Sequence, residues 1–230
     1  MRIGVVGGTG EEGFGLALRL ARAGYEIVIG SRSDERGRAA AGRAIEILGP
    51  GATVQGTTNE GCVADSELFF VTVPYAGQAD IYRSIKPHVA QGRIVVDTTT
   101  PLATAVGGRS WQVVRPWHGS AAEQADALLG RGTARLVSGF HTVSAEQLRD
   151  LERPMEGDVL LCGADSEAKE IVGEVVEAIP SLRWVDAGDL AMARIIEPLT
   201  ALMVSVNRRY KLKDTGIALT GRERWGRADA

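Results

Sequence analysis

Short apolar runs alternate along the chain with stretches whose apolar positions recur every three or four residues. Residues 2–7 (RIGVVG) form one such run and break into glycines, after which Phe14, Leu16, Leu20 and Ala23 fall at helical spacing. The same reading predicts strands over 25–30, 53–58, 68–73, 93–97, 134–140, 159–162 and 182–186. Helices are expected over 34–48, closed by Gly49-Pro50, and over about 78–88, 120–129 and 167–179. A last, long amphipathic helix over 190–208 carries Met192, Ile195, Ile196, Leu199, Leu202, Met203 and Val206. Residues 98–117 read as irregular, with Pro101, Gly107-Gly108 and Pro116, and a loop of that length in a compact domain is usually functional. Apolar strands alternating with helices call for an α/β fold built on a mostly parallel, doubly wound sheet.

Composition narrows the class without changing this picture. The 230 residues are 44% hydrophobic and 24% charged, with 26 basic and 29 acidic side chains for a net charge of −3. That balance gives no case for binding nucleic acid or an anionic membrane. Cys62 and Cys162 stand far apart with no metal-ligand spacing, so neither a zinc site nor a disulfide framework is expected, and the cytoplasm is the default compartment. No signal segment is visible, and no apolar run is read as approaching a membrane span. Glycine, at 29 residues, is in excess while proline is only 8, which points to tight turns between regular elements.

One of those turns has specific chemistry. Gly8-Thr9-Gly10-Glu11-Glu12-Gly13 is a GxGxxG placed directly between the first strand and the first helix. Its first glycine permits the turn, its second lets backbone approach a pyrophosphate, and its third lets helix and strand pack closely, with phosphate at the helix N-terminus. Dinucleotide binding follows, and with it a Rossmann-type sheet over 1–186, strands beyond 133 included. Residues 187–230 are expected to close the substrate cleft and to form a dimer contact. The second strand ends in Gly30-Ser31-Arg32-Ser33 and lacks the acid that would hold a ribose 2′-hydroxyl. Ser31, Arg32 and Arg36 instead suit a 2′-phosphate, so NADP(H) is preferred to NAD(H). The alternative is that Ser31 and Asp34 form a capping box while both arginines stay solvated.

Catalytic groups are harder to find. Tyr82 and Lys86 match a YxxxK pair, but they lie before the fifth strand, so a solvated helix face is the expected explanation. His88 reads as a polar helix end and His118 as a loop residue. His141 follows a strand at the edge where ligands bind in open α/β sheets, and Asp97 and Thr98 to Thr100 end a neighbouring strand there. No acid and base dyad stands beside the fingerprint, and 44 residues remain after Asp186. A flat partner that stacks on the nicotinamide and exchanges hydride without a proton relay fits this best.

Together, the opening MRIGVVGGTGEEGFGLALRLARAGYEIVIGSR, VTVPY, SGFHTVSA around His141, VLLCGAD at 159–165, and the closing LTALM with Gly216-Ile217 resemble the NADPH-dependent coenzyme F420 reductases. The resemblance implies a homodimer that moves hydride between NADP(H) and the deazaflavin coenzyme F420. It implies that Thr9 to Glu12 hold the pyrophosphate and Ser31, Arg32 and Arg36 the 2′-phosphate. Tyr75, Ala79, Leu102, Ala145 and Thr215 match the rest of the NADP pocket, His141 lies near the deazaflavin, and no side chain is required as nucleophile or metal ligand. Two segments depart from the family: Arg208 to Lys213 differs from a glycine-rich tail, and 111–118 aligns poorly. The other readings are an NADPH-dependent reductase of a flavin, carbonyl or imine, and a non-catalytic NADP(H) sensor.

Overall fold

The computed structural model describes residues 1–221. Six strands form one sheet: β1 (Arg2–Val6), β2 (Glu26–Ser31), β3 (Val54–Thr58), β4 (Leu68–Val71), β5 (Ile94–Asp97) and β6 (Arg135–Ser138), in the order β3-β2-β1-β4-β5-β6. Every pairing is parallel, and the switch in strand order falls between β1 and β4. The strand interiors alternate between two cores. Ile3, Val5, Ile27, Ile29, Leu68, Phe70, Ile94 and Val96 face one side. Val6, Val28, Phe69, Val71 and Val95 face the other. Apolar side chains on both faces need helices on both, which is why these runs read as continuously apolar.

The first face is covered by α1 (Glu11–Arg22) and α2 (Asp34–Leu48), the second by α3 (Asn59–Asp65), α4 (Tyr75–Ile85) and α5 (Ala121–Leu129). Beyond β6 come α6 (Ala145–Arg149), β7 (Gly157–Leu161), α7 (Ser166–Glu177) and β8 (Leu182–Asp186). β7 and β8 make a separate two-stranded parallel sheet, joined to the first through a single bridge between Ser138 and Cys162. Arg19 of α1, almost fully buried, fastens α6 by donating to the carbonyls of Leu148 at 3.1 Å, Gln147 at 2.7 Å and Arg153 at 2.8 Å, and to that of Asp150.

The expected last helix is three segments: a 3-10 turn over Leu190–Met192, α8 (Ala193–Ile196) and α9 (Leu199–Tyr210). Pro198 interrupts the run because it has no backbone N–H to give to the preceding turn. The 21-residue path Leu190–Tyr210 contains an 18-residue window of mean hydropathy 1.3, so by length and composition alone it meets the measure of a membrane span, more apolar than the sequence reading allowed. Its attachments are nonetheless to protein. Glu197, 1% exposed, accepts from the backbone N–H groups of Ala121 and Ala122 at 2.9 Å each, and Thr200 donates to the His141 carbonyl at 2.6 Å. The part of the 187–230 segment beyond 221 lies outside the described residues.

Candidate functional site

The turn between β1 and α1 is built from backbone. Gly7 has φ +74°, Gly8 donates to the carbonyls of Val5 at 3.1 Å and Gly30 at 3.0 Å, and Gly10 donates to Gly7 at 3.0 Å. A Cβ on Gly8 would lie 2.7 Å from the Val5 carbonyl oxygen. One on Gly13 would lie 2.3 Å from Thr72 Oγ1 and 2.9 Å from the Gly8 Cα. The space is therefore closed to any side chain, as a turn that must approach a pyrophosphate requires. Gly10 caps α1 without a side-chain acceptor, so the first N–H groups of a 12-residue helix, those of Glu11, Glu12 and Gly13 included, remain open toward the ligand edge. Thr9 lies inside the turn. These features fit a dinucleotide's diphosphate.

Two acidic residues sit in this loop. Glu11 is exposed and pairs with Arg149 at 3.4 Å. Glu12 is half-buried, and that burial raises its carboxyl to a pKa of about 7, with nearby Asp97 adding to the rise and a hydrogen bond to Thr98 opposing it. A carboxyl that is partly neutral near pH 7 takes less from the positive helix end than an ionised one would.

Ser31 ends β2 and is buried. Arg32 and Arg36 are exposed and have no carboxylate partner within ion-pair distance among the described residues. The cap of α2 is Ser33, whose hydroxyl accepts from the Arg36 N–H at 3.4 Å, and not Ser31. Ser31 thus takes no part in that cap. Asp34 is drawn along the helix to Arg38 at 2.8 Å, away from the two arginines. Because Gly8 bonds to Gly30, the pyrophosphate turn and this basic pair are neighbours on one edge.

The other half of that edge lies beyond β4. Tyr75 opens α4, with Ala79 one turn on, and its hydroxyl donates to Gln124 Oε1 at 3.2 Å. Leu102 pairs with Val113 in a bridge that gives the 98–118 loop some order, around a 3-10 turn over Ala103–Val106. Beneath them lies a polar core. Asp97 accepts from Tyr82 Oη at 2.7 Å, Gln78 Nε2 at 3.1 Å and the Thr99 N–H at 3.0 Å, and Gln124 donates to Gln78 at 2.9 Å. Tyr82 is fully buried, so the YxxxK tyrosine is an internal strut and not a solvated helix residue, while Lys86 donates to the Leu128 carbonyl at 2.9 Å. Burial raises Asp97 to a pKa of about 6 against the pull of those hydrogen bonds. It raises Glu197 to about 8 despite the two N–H groups that Glu197 accepts from α5.

His141 stands where β6 ends, 5% exposed, with burial lowering its pKa to about 4. Its Nδ1 lies 3.2 Å from the Thr98 carbonyl, which can only accept, so Nδ1 carries the proton. Nε2 then accepts from Ser138 Oγ at 2.8 Å. Both ring nitrogens are engaged, and the neutral imidazole joins β5 to β6 instead of offering a free proton donor. Thr100 Oγ1 lies 2.8 Å from Thr200 Oγ1, so α9 meets the loop directly above.

Ala145 and Thr215 lie together on another side. Ala145 begins α6, whose Ser144 and Gln147 donate to the tail carbonyls of Lys213 at 3.2 Å and Asp214 at 2.7 Å. Thr215 Oγ1 already donates to Asn207 at 2.7 Å, so its hydroxyl is committed within the tail. Sequence reasoning missed Asn59, which is 2% exposed and accepts from the Gly7 N–H at 3.1 Å. It also missed Thr72, which closes the space at Gly13. Asn59 opens α3, a short helix that the sequence reading did not predict.

Fold and edge together define an NADP-dependent oxidoreductase of the Rossmann type. Residues 2–101 match the family described as NADP oxidoreductase, coenzyme F420-dependent. The chain is 38% identical over 226 residues to the F420-dependent NADP reductase of Methanocaldococcus jannaschii, covering 97% of this chain and 100% of that one. It is 36% identical over 221 residues to that of Methanothermobacter thermautotrophicus, covering 96% and 95%. Among solved structures, an Arthrobacter sp. FB24 protein described as a candidate F420-dependent NADP reductase superposes with TM-score 0.79 over 95% of this chain and 98% of that one, at 23% identity. The chain belongs to the F420-dependent NADP oxidoreductase family.

Proposed function

We propose that this enzyme transfers hydride directly between NADP(H) and coenzyme F420, with the protein acting by position. The observation that carries the reading is the edge itself: a backbone cradle for pyrophosphate at β1, an unpaired arginine pair at β2, and beyond β5 a histidine whose two nitrogens are already bonded. NADP(H), when bound, supplies or accepts hydride at its nicotinamide C4. Gly8, Thr9, Gly10, Glu11, Glu12 and Gly13 hold the diphosphate through backbone N–H groups and the helix end. Ser31, Arg32 and Arg36 hold the 2′-phosphate. Tyr75, Ala79 and Leu102 wall the nicotinamide half, and Ala145 and Thr215 border the pocket as packing surface. His141 keeps β5 and β6 in register near the deazaflavin and excludes water without exchanging a proton, so no side chain serves as nucleophile or metal ligand. Mixing the protein with NADPH and oxidised F420 should bleach the deazaflavin's visible band; no bleaching despite tight NADPH binding would leave the reading without support.

The same reading takes residues 1–186 as the dinucleotide-binding domain and 187–230 as the closing segment of a homodimer. Supporting this, Ile195 is 61% exposed, Leu202 52% and Met192 36%, an apolar strip continuing from residues tied into the site. Velocity sedimentation should give twice the chain mass, and a lone-chain mass at micromolar concentration would refute the dimer. Both cysteines are buried free thiols, which suits a reducing cytoplasm.

A further inference from the structure

Two segments of this acidic protein contain no acidic residue at all: 98–122, with Arg109 and Arg115, and 198–213, with Arg208, Arg209, Lys211 and Lys213. The structure brings them together. The Arg109 guanidinium carbon lies 5.3 Å, and that of Arg208 4.1 Å, from the centroid of the Trp111 ring. Neither arginine has a carboxylate within ion-pair distance among the described residues, whereas Arg38, Arg83, Arg149 and Arg194 all do. The indole face attracts each of these exposed guanidinium groups, but no carboxylate among the described residues neutralises either charge. Such an arrangement is preformed for an anion that is not part of the protein.

Position says which anion. Thr200 and Arg208 are eight residues apart on one face of α9: the first touches Thr100 above His141, the second touches Trp111. Arg208 is therefore about 12 Å along the helix axis from the floor of the cleft. The pyrophosphate and 2′-phosphate of NADP belong at β1 and β2, on the other half of the sheet, so this basic pair stands on the side left for the second substrate. Resting on the function proposed above, that substrate is a flat ring carrying a polyol arm, then a phosphodiester and a string of carboxylates.

We propose that Arg109 and Arg208, oriented by Trp111, bind the phosphodiester and carboxylate tail of the deazaflavin and give this chain a tail subsite separate from the ring site. The planar guanidinium matches phosphate and carboxylate oxygens in pairs, and stacking on the indole fixes its direction before the ligand arrives. The subsite acts on affinity and leaves the hydride step untouched, since it lies an arm's length from the reacting carbon.

The test compares F420 with the same 8-hydroxy-5-deazaflavin as its tail-free riboside, using wild type and the Arg109→Gln/Arg208→Gln double variant. The KM for F420 should rise about tenfold in the variant with kcat and the KM for NADPH unchanged, and the KM for the riboside should stay where it is. Raising salt from about 0.05 to about 0.5 M should weaken F420 binding to wild type far more than riboside binding, and the double variant should lose that difference. A parallel rise for both ligands, or no rise for either, overturns the tail subsite. Wild type that reduces neither deazaflavin instead overturns the hydride-transfer reading, and this inference falls with it. Calorimetric titration of F420 and riboside into the NADP-loaded protein gives the same comparison without turnover.

Discussion

Gly13→Ala should lower NADPH affinity by roughly two orders of magnitude and cost about 1–3 kcal/mol of stability, the range for a side chain forced into a packed site. The new methyl would lie 2.3 Å from Thr72 Oγ1, 2.9 Å from the Gly8 Cα and 3.1 Å from the Gly7 carbonyl oxygen. A hydroxyl can rotate away, but two backbone groups cannot, so the start of α1 must retreat from the turn. The N–H groups that face the phosphates retreat with it, and hydrogen bonds to a charged group lose strength steeply with distance and angle. Gly42→Ala is the control: it lies within α2, a Cβ there meets nothing within 4 Å, and the exchange should be neutral or stabilising by up to about 1 kcal/mol. Fluorescence titration of NADPH beside thermal melts reads both quantities. Wild-type affinity in Gly13→Ala would mean that the close approach of backbone is not what holds the cofactor.

Arg32→Glu should weaken NADPH about 100-fold while changing NADH less than about threefold. Reversing a charge beside a phosphate removes a paired hydrogen bond and adds a repulsion, together worth about 3 kcal/mol. NADH lacks the 2′-phosphate, and so it meets neither effect. Arg32 has no carboxylate partner to lose among the described residues, and Asp34 is occupied by Arg38, so the substitution should not disturb the fold. Equal losses for both nucleotides would show that Arg32 holds structure and not phosphate.

The sheet was largely legible because its central strands β1, β2, β4 and β5 are mostly apolar and buried, the pattern demanded when helices cover both faces. The GxGxxG could be placed because strand, turn and helix fell in register around it. Shorter and longer-range features were not legible. α3 is only seven residues long and opens on Asn59-Glu60-Gly61, residues that locally favour a turn; it forms because Cys62 and Val63 find a core to bury in, and Asn59 finds the Gly7 N–H. α6 has five residues, and the carbonyls at its end are held by Arg19, which is more than a hundred residues away in the chain. Tyr82 looked like a surface residue because its partner, Asp97, is at the end of another element. Glu197 was not singled out in the sequence at all, and only the fold brings it to the N-terminus of α5. In each case the deciding contact joins distant residues, and no local period encodes it.

In the function proposed above, nicotinamide and deazaflavin exchange hydride directly, while His141 and its neighbours only hold geometry. NADPH deuterated at both C4 positions, mixed with oxidised F420 and the enzyme in ordinary water, tests this most directly, with the reduced deazaflavin analysed by mass and proton resonance. Deuterium should be found on C5 of the deazaflavin, one atom per turnover. Protium from solvent at that carbon would contradict the account.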